Sequence, residues 1–469
     1  MSGFLAERDR VKASSADAGP TTAAAGALSP GRVAAMHEAF DADRHARLLQ
    51  NAAVRTRIED VALSRAVTSG IDFTFSHVLD DWTCTKQGQS GRCWMFAGLN
   101  LLRVGAMRKM NLASFEFSQT YTQFYDKLER ANHFLEAILA TSERDLDDRT
   151  VAWLLDHPLD DGGQWNMFVA LVRKHGLVPQ AVMPETASSA CTRTMNAHLL
   201  LVLRQAAKAV REAREAGVAA QRAAKDAALA TVHRILCLHL GTPPREFHWQ
   251  WNDKDKRFHR PREGTFTPAE FAREFVTLPL DEYVCLVHDP RATSPMGRTF
   301  TVAHLGNVVG APAADGVRYL NVPIDVMKDV AMRAIVEGEP VWFGCDVGKM
   351  MHRDLGLWDA RLYDLDGLYA ATLDLGKADR LTHHATAMTH AMLFTGVDVV
   401  DGRPRRWRVE NSWGDEAGRK GFFTMNDSWF DEHMFEIAAR RSSLPAAYAA
   451  AVDADPIVLP PWDPMGALA

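Results

Sequence analysis

Lys86-Gln87-Gly88-Gln89-Ser90-Gly91-Arg92-Cys93-Trp94-Met95-Phe96 puts a cysteine where a glycine-punctuated loop meets an apolar run. From Cys93 to about Lys109 apolar residues occupy every side of a 3.6-residue period (Trp94, Met95, Phe96, Ala97, Leu99, Leu101, Leu102), which predicts a buried helix. A thiol at the first turn of that helix meets unpaired N–H groups and the positive end of the helix dipole. Both favour the thiolate, which is the nucleophile. Gln87, six residues upstream, can offer its amide to a developing oxyanion, a contribution of roughly 10²–10³ in rate. Gln89, four before the cysteine, has the wrong spacing for that role. Taken alone, the stretch reads rather as a buried structural cysteine at a helix start.

Two distant segments change that balance. Met388-Thr389-His390-Ala391-Met392-Leu393-Phe394 opens an apolar strand with a histidine, and Arg408-Val409-Glu410-Asn411-Ser412-Trp413-Gly414 ends a strand with an asparagine. Their separation, 411 − 390 = 21 residues, is that of a strand, a turn and a strand. Such a hairpin brings the Asn411 amide oxygen to the His390 imidazole, and Trp413 can cover that bond from water. Cys, His and Asn in this order are the parts of a thiol protease.

The rest of the chain bounds the answer. Its 469 residues exceed one ordinary domain, and 47% hydrophobic with 24% charged residues is a globular composition. The apolar runs, such as Leu199-Leu200-Leu201-Val202-Leu203, fall far short of the roughly 18 residues that span a bilayer. A membrane protein, a collagen, a coiled-coil rod and a wholly disordered chain are excluded. The charge balance, 53 − 59 = −6, gives no electrostatic case for nucleic acid. The basic run Lys254–Arg262 is interleaved with acids and reads as a solvated loop. No apolar segment follows Met1, so export is not expected, and the compartment is read as reducing. Six scattered cysteines without a CxxC pair support neither a disulfide scaffold nor a thiolate metal site.

Residues 11 to 30, rich in Ala, Ser, Gly, Thr and Pro, read as a disordered extension, with a helix starting at Ser29-Pro30. Residues 115 to 240 are mostly helical by pattern, with a hairpin broken at Gly217; residues 240 to 300 are mixed and loop-rich. From about 300 onwards short strands dominate, at 341–345, 391–400, 406–411 and 421–425. The fold class is therefore α+β. The apolar, charge-poor tail Pro460 to Ala469 is expected to dock on something.

Gln-x5-Cys-Trp, then His-Ala, then Asn-Ser-Trp-Gly resembles the papain-like cysteine peptidases. In the simple members the Cys-to-His distance is roughly 130–150 residues; here it is 390 − 93 = 297. Phe115-Glu116-Phe117-Ser118-Gln119, Asp126-Lys127-Leu128-Glu129, Asp161-Gly162-Gly163-Gln164-Trp165, Pro184 to Ser189 and the terminal Trp462 to Ala469 narrow the likeness to the bleomycin hydrolase/aminopeptidase C branch. Lys86 and Asn166 depart from its usual residues, which puts fine specificity in doubt rather than activity.

The resemblance covers residues 28–469 and implies a two-subdomain fold. A helical subdomain carries the Cys93 helix and a β-barrel-like one carries His390 and Asn411. It implies a large helical oligomerisation insertion at about 111–280, a C-terminal arm at 455–469 lying in the active-site cleft, and a homohexameric barrel; residues 1–27 stay outside. It implies an intracellular, cytoplasmic aminopeptidase acting on peptides with a free N-terminus, extending to bleomycin-like amides, with no cofactor and no metal. Cys93, His390, Asn411 and Gln87 are then catalytic, Trp413 supports them, and the Ala469 carboxylate anchors the substrate amino group. The rival readings are a self-assembling nucleic-acid- or peptide-binding scaffold, an inactive relative, and an acyl transferase using the same acyl-enzyme. Other motifs carry little: Gly344–Lys349 is one residue short of a phosphate loop and lacks its Ser/Thr, Asp364–Gly367 is too short for calcium, and His383 and His384 have no metal spacing.

Overall fold

The computed structural model describes residues 26–79, 82–310 and 316–469. The extension expected at 1–27 lies outside the described residues, Gly26 and Ala27 excepted. Two units are distinguished: Met1–Leu63 with Tyr363–Leu373, and Ser64–Leu362 with Asp374–Ala469. In the first, Pro30–Ala42 is a helix whose N-cap Ser29 accepts from Arg32 N, with Pro30 at its first position. Leu63 bridges Tyr363, and Asp364 N donates to Ala62 O.

The second unit mixes helices with one large sheet and carries every candidate site residue. Its central helix α1 (Cys93–Met110) is buried from Cys93 to Val104 without a break. Asn111, in the left-handed conformation at φ 53°, ends it. Next come α2 (Gln119–Ala140), capped by the Ser118 hydroxyl accepting from Tyr121 N, and α3 (Trp165–His175). Then follows the hairpin of α4 (Arg193–Glu212) and α5 (Val218–Leu240). Gly217 makes that turn at φ 92°, a conformation that favours glycine.

The strands of the large sheet are β1 (His77–Val78), β2 (Tyr283–Val287), β3 (Thr299–Val302), β4 (Arg318–Asn321), β5 (Val341–Cys345), β6 (Met351–His352), β7 (Leu357–Trp358), β8 (His390–Val400), β9 (Arg403–Glu410), β10 (Phe422–Asn426), β11 (Met434–Arg440) and β12 (Ile457–Leu459). They form one sheet in the order β6-β7-β10-β9-β8-β5-β11-β2-β4-β3-β12, with β1 on β8. Most neighbours are antiparallel; β7–β10, β2–β4 and β12–β3 are parallel. The long strand β8 is buried from His390 to Asp398, and so reads as a continuous apolar run instead of an alternating one. On one face α1 and α3 pack with Trp165 and Trp342. Elsewhere in the sheet Phe343, Phe394, Trp407 and Phe430 form a second core, with Phe343 stacked on Phe394 at 3.9 Å. Burying a large aromatic is worth roughly 1.5–3 kcal/mol, so the first core holds the sheet against the Cys93 helix. The run Lys254–Arg262 corrects one expectation. It is exposed, but Trp251–Asn252 and Phe258–His259 pair as a small hairpin, where a loop was expected. No helix among the described residues is long and apolar enough to cross a membrane.

Candidate active site

Cys93 is the first residue of α1 and is buried. His390 opens β8 opposite Cys345 of β5. Hydrogen bonding from the Ala391 backbone acts on the Cys93 thiol, so sulfur and imidazole are borne by neighbouring points of helix and strand. The β8–β9 hairpin pairs Leu393 with Glu410, which brings Asn411 beside His390. Asn411 Oδ1 lies 2.9 Å from His390 Nε2 and 2.8 Å from Ser412 N. Because Ser412 N–H must donate to an oxygen, the amide is oriented with Oδ1 towards the ring. His390 Nε2 then carries the proton, leaving Nδ1 as the free base. The Trp413 ring lies 5.2 Å from the imidazole at 37° and covers it.

The thiol differs from the expectation built on the helix dipole. Burial pushes Cys93 up to about 11, although the Ala391, Trp94 and Cys93 backbone groups pull the other way. Burial likewise pushes His390 down to about 4, against the Asn411 bond. Desolvation disfavours either charge alone and outweighs the helix end here.

Gln87 is buried and doubly held. Its Oε1 accepts from Ser412 Oγ at 2.6 Å, and its Nε2 donates to Ser90 O at 2.5 Å. Its backbone N donates to Ser412 O at 2.9 Å. The loop carrying it is clasped by fully buried Arg92, which binds both Glu185 oxygens (2.9 and 2.7 Å), Ser90 Oγ and Gln87 O. Gln89 is exposed and faces the Cys191 thiol instead.

The tail reaches the same place. Gly163 N donates to Ala469 O at 3.0 Å, and Ala469 N donates to Gly163 O at 3.3 Å. Gln164 Nε2 holds Ala467 O at 2.6 Å. A Cβ on Gly163 would meet the Trp94 ring at 2.4 Å, and one on Gly162 would meet Ala469 O at 2.7 Å. The two glycines are thus required for the loop to lie between the tail and the residue after Cys93. Upstream, β12 pairs with β3, and Asp463 pairs with Arg291 at 2.8 Å, fixing the path of the arm.

The structure therefore brings Cys93, His390, Asn411, Gln87 and Trp413 together and lays Ala469 along the adjoining Gly162–Gly163 wall. Sequence reasoning passed over Ser412 and Asp161. Asp161 O receives Trp94 Nε1 at 2.8 Å, and its carboxylate pairs with Lys127 at 2.5 Å. Burial works to raise the Asp161 carboxyl, but Lys127, Thr192 and Asn196 hold it well below its ordinary range. Its place in the quoted Asp161–Trp165 motif was the only signal. All six cysteines are free; Cys84, Cys285 and Cys345 are buried, Cys237 is half-buried and Cys191 is exposed. His383 and His384 are exposed. Among the described residues no three His, Cys, Asp or Glu side chains gather as metal ligands.

The model of the peptidase C1-like family matches residues 27–466. Aminopeptidase C of Streptococcus thermophilus is 44% identical over 405 residues, 85% of this chain and 89% of that protein. Bleomycin hydrolase of Homo sapiens is 39% identical over 454 residues, 94% of this chain and 99% of that protein. The crystal structure of PepW from Lactobacillus rhamnosis HN001 is similar with a TM-score of 0.92 and 41% identity, over 95% of this chain and 100% of that one.

Proposed function

Since the chain belongs to the peptidase C1-like family and is a cysteine peptidase of papain-like fold, we propose that it is an aminopeptidase that releases N-terminal residues from peptides through an acyl-enzyme. Cys93 Sγ attacks the scissile carbonyl while its proton passes to His390 Nδ1. The two charges arise together in a buried site, so each offsets the desolvation that resists it alone. His390 then gives the proton to the leaving amine and takes one from the water that cleaves the thioester. Asn411 holds the ring in register and Trp413 shelters that bond. Gln87 Nε2, with one hydrogen spent on Ser90 O, presents the other to the oxyanion beside the Cys93 backbone N–H.

The observation that carries the aminopeptidase reading is the main-chain pairing of Ala469 with Gly163. A tail lying there closes the groove on one side of Cys93, and its carboxylate offers an ion pair to a substrate ammonium. Adding one residue after Ala469 tests it. The expected result is a shift from single-residue release towards internal cleavage; unchanged specificity would remove the carboxylate anchor. By likeness to the bleomycin hydrolase of Homo sapiens, bleomycin-like amides are included among the substrates. The proposal extends to a two-subdomain arrangement with residues 111–280 as an oligomerisation insertion, a homohexamer, and a cytoplasmic setting, where reducing conditions keep the Cys93 thiol off the oxidation ladder.

A further inference from the structure

Behind the site a buried carboxylate joins α1 to β9. Glu410 is bonded to Asn411, and because successive strand residues face opposite sides, it points away from the imidazole and into α1. Its Oε1 accepts from Arg103 Nη2 at 2.7 Å and from Asn100 Nδ2 at 3.0 Å, and its Oε2 accepts from Trp82 Nε1 at 2.5 Å. Asn100 Nδ2 also reaches Thr85 Oγ1 at 2.9 Å, and Arg103 Nη2 reaches Thr83 O at 3.0 Å. Glu410 and Arg103 are each 2% exposed. Asn100 follows Cys93 by seven residues, close to two turns, and so lies on its side of the helix, with Arg103 about one turn beyond Asn100. Thr85 lies two residues before Gln87, and its carbonyl accepts from Gly414 N at 3.0 Å. Three segments thus meet on one carboxylate: the helix that begins with Cys93, the strand that ends at Asn411 and the chain that leads to Gln87.

We propose that Glu410 is a positioning residue of the peptidase reaction, setting the separation of Cys93 from the Asn411-held His390 by fastening α1 and the 82–87 segment to β9. The proposal rests on the reading of Cys93 and His390 as the reacting pair. All partners of Glu410 are donors, which suits an anion. An amide there has one acceptor oxygen and must turn a donor towards Trp82 or Arg103. Breaking a buried pair also leaves the Arg103 cation uncompensated.

The test uses the full chain, with Glu410→Gln, Trp82→Phe and Arg103→Lys. Two quantities are read: kcat and KM on an aminoacyl fluorogenic amide, and the pH dependence of Cys93 alkylation by iodoacetamide, followed on the Cys93 peptide by mass. Glu410→Gln is expected to lower kcat by about tenfold to hundredfold, as for a displacement of order 1 Å, with KM nearly held. The acid limb of alkylation should move to higher pH, because a buried thiol parted from the imidazolium loses the charge that offsets its desolvation. The bare loss of an anion would do the reverse, since an uncompensated Arg103 favours the thiolate. Trp82→Phe changes no charge and should move the limb the same way by less, which covers the case in which Glu410→Gln does not fold. Arg103→Lys, which keeps the pair, should retain most of the rate. A limb that stays or moves down, with melting temperature alone reduced, overturns the proposal. If alkylating Cys93 leaves activity intact, the catalytic reading falls first and this one with it.

Discussion

Asn411 accepts from His390 Nε2 at 2.9 Å with the same oxygen that receives the Ser412 backbone N–H at 2.8 Å. The ring is therefore oriented by an amide that is itself fixed by the next peptide group. Its neighbour Ser412 gives its hydroxyl to Gln87 Oε1, so two adjacent residues hold the His390 ring and the Gln87 amide.

Asn411→Ala removes the acceptor and frees the ring to rotate. The proposed mechanism then predicts a loss of about 10² in kcat, the order expected for a misplaced catalytic group, with KM little changed. Steady-state kinetics on one aminoacyl amide checks this; a KM effect with kcat intact would assign Asn411 to binding instead.

In the proposed mechanism Gln87→Ala takes away a donor whose bond to the reacting oxygen forms only as charge develops. A fall of roughly 10²–10³ in kcat is expected. The rate of Cys93 alkylation should stay close to that of the parent, because alkylation builds no oxyanion. A parallel fall in both would mean that Gln87 acts on the thiol.

Acid should destabilise the fold in a defined window. Burial pushes His133, His288 and His390 down to about 4 and His433 to about 3, from an ordinary value of 6.5. Between about pH 4 and 6.5 the unfolded chain therefore binds protons that the folded chain refuses; stability rises with pH there and is lost as pH falls. Glu436, which burial pushes up to about 8 from 4.5, works oppositely over the same range. His304 is held down in the same way, and burial raises Asp346, Glu410 and Asp427 in the sense of Glu436, so these carboxyls reduce the slope that the histidines set near pH 5.5. Denaturant midpoints across pH 4.5 to 7 measure it, and His390→Ala should remove about one proton from the slope. A flat profile would contradict these buried, neutral histidines.

The local elements were legible because local rules decide them. The all-round apolar pattern gave the Cys93 helix, Gly217 marked the break between two helices, and the 21-residue spacing of His390 and Asn411 matched the β8–β9 hairpin. What could not be read depends on partners far along the chain. Nothing near Glu410 announces Arg103, 307 residues away, and nothing near Gln87 announces Ser412, 325 away. The direction of the Cys93 shift was missed for the same reason. The helix start is visible in the sequence, whereas the burial that outweighs it comes from packing against β8 and β5. The tail could be expected to dock, but its resting place on Gly163 follows from two glycines whose roles are explained only by the Trp94 ring, for Gly163, and by the tail itself, for Gly162.

On the proposed function, Cys93 chemistry is confined to free N-termini. The most direct measurement offers one aminoacyl fluorogenic amide with its amino group free and again N-acetylated, each with and without a thiol alkylator. Rapid, alkylator-sensitive hydrolysis of the free form alone is expected. Equal hydrolysis of both forms would contradict it, leaving a thiol peptidase with an open groove.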